Sequence, residues 1–412
     1  MEIDLSKIKK VFFIGIGGIG ISALAQMVKS QGIEAGGLND EEIGKTLDTL
    51  KEEGIEVILQ KDFKNLPEAD MYVYSDAWIY RGPEILESAK QTGKPVLSYF
   101  EALGEFAKKY KVIAISGTHG KTTTTAMVAD ILIEAGLDPT VIVGSFVKKF
   151  GSNFRKGSGE YLVVEADEFN RHMLFFHPFI GAITNIEADH LDVYKDLADI
   201  QNAFEQFLTQ SENKITGYSQ YLDKVPKLLV PGEHNRKNGA VALAVADILG
   251  IDNTVAQKAL ANFTGTWRRL EKRGITEKGT IVYDDYAHHP TEVQASLQAL
   301  KELYPNKKIT VVFQPHLYSR TKAFFDDFVK SFDNADQVYF LPIYFAREAP
   351  DPSVSSEKLA IALKSRGKDA TSGSFEEIIT HFKGVSLGEN DVFVTMGAGE
   401  AYKIADETLK FV

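Results

Sequence analysis

The chain has 412 residues, 44% of them hydrophobic and 25% charged, with a formal net charge of -11 and no cysteine. That length is too great for one comfortable core and asks for two or three domains of ordinary globular composition. The acidic balance argues against non-specific nucleic-acid binding, and the missing cysteines exclude disulfides, a thiolate nucleophile and a zinc–cysteine site.

Residues Met1 to Lys10 are short and amphiphilic, without the apolar region and cleavage site of a signal peptide. No apolar run approaches membrane-spanning length, so a cytoplasmic protein without membrane insertion is expected. Val11-Phe12-Phe13-Ile14 predicts a strand, and Gly15, Gly17 and Gly20 then match G-x-G-x-x-G ahead of a helix ending near Gly32. Asp40 lies where a ribose-binding carboxylate would stand in a dinucleotide fold, although a solvated loop acid is an equal reading. Taken alone, this stretch favours an oxidoreductase. Short apolar runs at Glu56–Leu59, Met71–Tyr74 and Pro95–Ser98 alternate with helical or polar stretches, which implies a doubly wound parallel sheet.

A second unit opens with the run Val112 to Ile115, the turn Gly117-Thr118-His119-Gly120, then Lys121 and Thr122, and an apolar-periodic segment that stops at Gly136. Strand, glycine turn, lysine, hydroxyl and helix suit a loop whose N–H groups cradle phosphate oxygens. Lys121 would reach the outer phosphates and Thr122 would ligate Mg²⁺; an ordinary turn with a surface lysine is the alternative. The loop is shorter than the general motif, because Ile115 stands where an upstream glycine is wanted. The run Tyr161–Val164 ends in Glu165-Ala166-Asp167-Glu168, and Phe179–Thr184 leads into Asn185-Ile186-Glu187-Ala188-Asp189-His190-Leu191-Asp192. Carboxylates at the carboxyl end of a buried strand suit a phosphate-bound metal, and the cluster favours a ligand role for His190. Asn235 and Asn238 precede a helix predicted over Gly239–Leu249 and either cap it or hydrogen-bond a base.

From about Trp267 a third α/β unit is predicted. Its strands are Thr280–Tyr283, Ile309–Phe313, Gln337–Leu341 and Asp391–Met396, with helices over Thr291–Leu303 and Thr321–Phe332. Polar clusters follow the strands at Asp284–Pro290, Gln314–Thr321 and Gly397–Glu400, where open α/β sheets bind ligands.

The ordered set S-G-T-H-G-K-T-T-T, V-V-E-A-D-E, T-N-I-E-A-D-H-L-D, G-E-H-N-R-K-N, W-R-R-L-E, D-D-Y-A-H-H-P-T-E-V and Q-P-H-L-Y-S-R-T resembles the Mur ligases of peptidoglycan synthesis, almost end to end. The family loop is G-T-x-G-K-T, which accounts for the missing glycine. The resemblance implies three consecutive α/β domains. These are a Rossmann-like UDP-sugar domain over 1–109, a P-loop ATPase-like domain over 110–266, and a Rossmann-like, amino-acid-binding closing domain over 267–412. It also implies an ATP-dependent ligase that joins UDP-N-acetylmuramate and L-alanine through an acyl phosphate, working as a monomer or homodimer.

The roles the resemblance implies are as follows. Gly15, Gly17, Gly18, Gly20, Ser22, Asp40 and Ser75 serve the sugar nucleotide instead of a redox cofactor. Gly117, Thr118, His119, Gly120, Lys121, Thr122 and Thr123 hold phosphates. Thr122 and Glu165 hold one Mg²⁺ and His190 a second. Asn235 and Asn238 meet adenine, Arg269 and Asp285 hold phosphate and ribose, and His288, His316 and Arg320 surround the amino acid. Lys121, Glu165, His190 and His288 are the catalytic set. Two departures stand out: few residues separate His190 from His234, and Leu317 replaces an arginine found in many members. A tripeptide-recycling ligase of the same family and a non-catalytic nucleotide-binding relative remain as alternatives.

Overall fold

The computed structural model describes residues 3–40, 44–191, 193–345, 348–385 and 387–411. They form three sheets, distributed over two compact units. The first unit comprises Met1–Asp189, Val193–Lys227 and Asn238–Thr264; the second comprises His190–Asp192, Leu228–Lys237 and Gly265–Val412.

The first unit carries two sheets. Strands β1 (Lys10–Ile14), β2 (Glu34–Asn39), β3 (Glu56–Leu59), β4 (Met71–Tyr74) and β5 (Val96–Ser98) lie in the order β3-β2-β1-β4-β5, every pair parallel. This is the doubly wound arrangement expected from the alternating runs. Strands β6 (Lys111–Ser116), β7 (Thr140–Val147), β8 (Ser152–Arg155), β9 (Tyr161–Glu165), β10 (Ile180–Ile183) and β11 (Asn213–Ile215) form the second sheet in the order β11-β10-β6-β9-β7-β8. It is parallel except for the β7–β8 pair.

β1 shows why a parallel strand reads as an unbroken apolar run. Val11 and Phe13 join one core cluster and Phe12 and Ile14 another, so both faces are covered. The first of these clusters also takes in Val112, Ala114, Leu162 and Val164 from β6 and β9, so the two sheets share a core. A buried polar chain adds to the join. Gln26 Nε2 donates to Asn153 Oδ1 (3.0 Å), Asn153 Nδ2 donates to Ser22 Oγ (3.0 Å), and Ser152 Oγ donates to Gln26 Oε1 (3.0 Å).

The second unit holds β12 (Glu271–Ile275), β13 (Ile281–Asp285), β14 (Lys308–Phe313), β15 (Gln337–Phe340), β16 (Asp369–Ser372) and β17 (Asp391–Met396), ordered β12-β13-β17-β14-β15-β16 with only β12 antiparallel. Along β14, Ile309, Val311 and Phe313 face one core and Val312 the other.

Two helices differ from expectation. The helix predicted over Thr321–Phe332 is two, Tyr318–Ala323 and Phe325–Ser331, broken at Phe324, whose ring packs edge-on against His289. The helix predicted from Gly239 begins at Glu233, so Asn235 and Asn238 lie inside its first turns and are not caps. Among the described residues no helix is long and apolar enough to cross a membrane.

Candidate active site

In the first unit, β6 runs into Gly117 at φ +130° and Gly120 at φ +83°, and the helix Lys121–Glu134 starts directly after. Only glycine takes such angles at low cost. A side chain would also collide: a Cβ on Gly117 would lie 2.1 Å from Thr184 Oγ1, and one on Gly120 would lie 2.3 Å from Asn238 Oδ1. The helix has no side-chain cap and no acid in its first turn, so its positive end is left for an anion. Residues after β10 set the loop's shape. Asn185 accepts from Thr118 N through its carbonyl (3.0 Å) and from His119 N through Oδ1 (3.0 Å). Thr184 Oγ1 and Asn185 Nδ2 donate to the His119 carbonyl, and Glu187 N donates to Thr118 Oγ1 (2.8 Å).

Lys121 folds back on this loop. Its Nζ donates to the carbonyls of Gly117 (2.8 Å) and Thr118 (3.1 Å) and pairs with Glu168 Oε2 at 2.7 Å. Burial pulls the ammonium's pKa down, but Glu168, Asp167 and Glu165 outweigh it and hold the value above the ordinary lysine range. Thr122 Oγ1 donates to Glu165 Oε1 (2.9 Å), and Gly144 N donates to Glu165 Oε2 (2.7 Å). A hydroxyl and a carboxylate at that spacing are the hard oxygen donors Mg²⁺ takes beside phosphate, so the residues fit the ion. Thr123 is buried in the same turn, and His119 Nε2 sits 3.5 Å from Glu187 Oε2.

The glycine turn after β1 is equally confined. Gly15 has φ +84° and a Cβ there would strike the Trp78 indole; Gly17 N donates to Asn39 Oδ1 (3.1 Å) and its carbonyl accepts from Thr46 Oγ1 (2.6 Å). Gly18 stands before the helix Ile19–Ser30, with Ser75 Oγ 4.0 Å from where its Cβ would be, so these two predicted contacts meet. Gly20 packs on the Tyr99 ring. Burial, with Glu165 and Asp167 nearby, raises the Tyr99 pKa and keeps the phenol neutral. Two predicted contacts are otherwise engaged: Asp40 pairs with Arg81 at 2.6 Å, and Ser22 is wholly buried in the polar chain with Asn153.

Sequence reasoning singled out nothing at His172, yet it is buried between two acids. Its Nε2 is 3.1 Å from Asp76 Oδ2, its Nδ1 is 3.8 Å from Asp167 Oδ2, and its ring stacks on Phe100 at 4.0 Å. Burial opposes the charge, but the two carboxylates raise the pKa to about 9. Asp167 lies only five residues upstream, but nothing local marks the site, because Asp76 and Phe100 come from remote parts of the chain.

The second unit gathers the other predicted residues. Asp285, at the end of β13, accepts from Ser296 Oγ, and burial lifts its pKa to about 6 against the pull of Ser296 and Arg269. Arg269 lies over the Tyr286 ring at 5.0 Å. Its neighbour Arg268 is buried, with Nε donating to Asp284 Oδ2 (2.8 Å) and the other nitrogens donating to the carbonyls of Gly397 and Gly399, which is an architectural role. His288 Nδ1 donates to the Tyr286 carbonyl (3.0 Å), and its ring meets the His316 ring at 5.8 Å. Arg320 Nη1 donates to His316 Nδ1 (3.3 Å), and His316 stacks on Tyr344. His288, His316 and Arg320 are thus brought together as expected. Leu317 is buried, with φ +69°. Asn235 Nδ2 donates to the Pro231 carbonyl (2.7 Å) within this unit. His190, counted with this unit, has a left-handed backbone at φ +52°.

Fold and loop together define an α/β protein with a short glycine turn at a helix N-terminus, of the kind that suits phosphate. Three family models match in series: the Mur ligase family catalytic domain over residues 10–111, the Mur ligase middle domain over 115–219 and the Mur ligase glutamate ligase domain over 268–399. The chain is 36% identical to the UDP-N-acetylmuramate–L-alanine ligase of Caldanaerobacter subterraneus subsp. tengcongensis over 461 aligned positions, covering 100% of this chain and 99% of the relative. It is 38% identical to the ligase of the same name from Clostridium acetobutylicum, covering 98% and 97%. The crystal structure of the UDP-N-acetylmuramate-alanine ligase MurC of Thermotoga maritima superposes with a TM-score of 0.82 at 30% identity, covering 97% of this chain and 98% of the other. The chain belongs to the Mur ligase family.

Proposed function

We propose that this chain forms the amide between the lactyl carboxylate of UDP-N-acetylmuramate and L-alanine, driven by ATP, in peptidoglycan precursor synthesis. The observation that carries the reading is the meeting of Lys121, Thr122 and Glu165 at one glycine turn, in a chain whose near-full-length relatives bear that activity in their names. We place the sugar-nucleotide domain at 1–109, the ATP domain at 110–266 and the amino-acid domain at 267–412, in a cytoplasmic monomer or homodimer.

A carboxylate does not acylate an amine at neutral pH, because oxide is a poor leaving group. Transfer of the γ-phosphoryl group makes a new P–O bond to the lactyl carboxylate and breaks the bond to ADP. The alanine amine then attacks the acyl carbon, loses a proton, and expels inorganic phosphate. The protein's part is positioning and charge. Lys121 and the amides after Gly117 hold the β- and γ-phosphates and offset the charge that spreads on transfer. Mg²⁺, held by Thr122 and Glu165 with a second ion on His190, would polarise the phosphoryl oxygens. Gly15, Gly17, Gly18, Gly20 and Ser75 receive the sugar nucleotide, while Ser22 and Asp40 are engaged by Asn153 and Arg81. Asn235 and Asn238 meet adenine, and Arg269 and Asp285 phosphate and ribose. His288, held at Nδ1 by the Tyr286 carbonyl with Glu292 Oε2 3.3 Å away, takes the proton of the alanine ammonium. Arg320 and His316 suit the alanine carboxylate.

The test is phosphate release with UDP-N-acetylmuramate, ATP and Mg²⁺, with L-alanine or a recovered tripeptide in parallel and product mass as the check. Release that requires L-alanine and yields the corresponding amide supports the reading. Release that requires the tripeptide, or that ignores the UDP-sugar, sinks it.

A further inference from the structure

We propose that His172 is a positioning residue linking the sugar-nucleotide turn to the metal-and-phosphate loop, so that occupancy of one site changes affinity at the other. The inference rests on the assignment of those two sites to UDP-sugar and to Mg²⁺ with ATP.

The imidazole has a carboxylate from each sheet of the first unit. Asp76, 3.1 Å from Nε2, directly follows Ser75 in the loop after β4, beside Gly18. Asp167, 3.8 Å from Nδ1, stands two residues beyond Glu165 in the loop after β9 and contributes to the field on Lys121. Only the protonated ring presents an N–H on both edges, and two facing acids favour that form. The ring is 4% exposed and lies flat on Phe100, in close contact with Asp76 and at ion-pair distance from Asp167.

The backbone is built to deliver it. Asn170 and Arg171, just ahead of His172, both take left-handed angles (φ 49° and 60°), an unfavourable pair that the surroundings must hold. Arg171 is anchored on Asp199, and the Tyr194 hydroxyl donates to the carbonyl of Glu168, the acid that pairs with Lys121. A phosphate or a metal ion reaching Lys121 and Glu165 changes the field at Asp167. His172 passes that change to Asp76 and the turn beyond. Such linkage is reciprocal and worth about fivefold or more in affinity where a built coupling exists.

The test is calorimetric titration of the full chain with UDP, with and without Mg²⁺ plus a non-hydrolysable ATP analogue. The wild-type UDP dissociation constant should change by about fivefold or more between the two conditions. His172→Asn should bring that ratio close to one. Asp76→Asn, at a more exposed partner, should do the same if the first variant fails to fold, and the double variant should add nothing further. A merely structural role would shift both constants together and leave the ratio intact; a folded variant with the wild-type ratio overturns the proposal. A wild-type ratio of one, or no UDP binding, overturns it too. Turnover with UDP-N-acetylmuramate and L-alanine is measured on the same samples. Coupled binding without turnover would refute the ligase reading and leave the linkage standing.

Discussion

Replacing Lys121 by Ala removes two things at once, and the geometry says how to separate them. The ammonium donates to the carbonyls of Gly117 and Thr118 and faces Glu168 at 2.7 Å, with the Glu168 side chain only 3% exposed. Deleting it leaves a buried carboxylate without its counter-charge, which costs about 3–5 kcal/mol when one half of a buried pair is removed. In a unit of this size that is a fall in melting temperature of roughly 6–10 °C. The phosphate contact is lost as well, with a fall of about 10²-fold or more in turnover, roughly 3 kcal/mol. The double variant Lys121→Ala with Glu168→Gln should recover about 2 kcal/mol or more of stability, because a neutral amide is far cheaper to bury than a lone carboxylate. Its turnover should stay at the level of the single variant. Thermal unfolding followed by circular dichroism and phosphate release on the same preparations measure both. Recovery of activity in the double variant would mean that Lys121 serves only to neutralise Glu168, and the phosphate-loop reasoning would fall.

Three further outcomes are expected. Gly120→Ala should lower stability by about 1–2 kcal/mol for its left-handed backbone alone, with more from the Asn238 collision, and should weaken ATP binding; wild-type melting and ATP affinity would refute the loop geometry. Asp285→Asn should trade function for stability. Burial raises the folded pKa to about 6 from an ordinary 3.8, so the folded state binds the extra proton and loses stability as pH rises between those values. The amide should remove that slope and stabilise by up to about 3 kcal/mol at pH 7, while ATP binding weakens; a persisting slope between pH 4 and 6 in denaturation midpoints would count against it. Glu165→Gln and His190→Ala should each shift the Mg²⁺ titration of turnover to higher concentration, and an unchanged titration for either removes that residue from the metal role.

The motifs around the phosphate loop were readable because chain-local chemistry creates them. Lys121 and Thr122 follow Gly117 and Gly120 by rule of the turn, and the β9 run delivers Glu165 to the same place. The buried strands β1, β6, β9, β10, β14 and β17 were equally legible, since a parallel strand covered on both faces must be apolar throughout. Strands β8, β11, β12 and β16 were not. All four lie at sheet edges, bury one side weakly, and read S-N-F-R, N-K-I, E-K-R-G-I and D-A-T-S. The inner strand β2 was hidden for another reason. Its Gly36 and Gly37 trade apolar side chains for close approach, and a Cβ on Gly37 would lie 2.4 Å from the Phe13 carbonyl.

By itself, then, the sequence determined the three α/β runs, the glycine turns and the candidate residues for phosphate and metal, because each depends on neighbours within a few positions. Tertiary structure decided what depends on remote partners. It merged the first two sheets over one core, with Ser22 spent on Asn153, and it turned Lys121 onto Glu168. It also placed His172 between Asp76 and Asp167. Charge pairing and burial act through space, so residues distant in the chain become partners only once the backbone has brought them within a few ångströms.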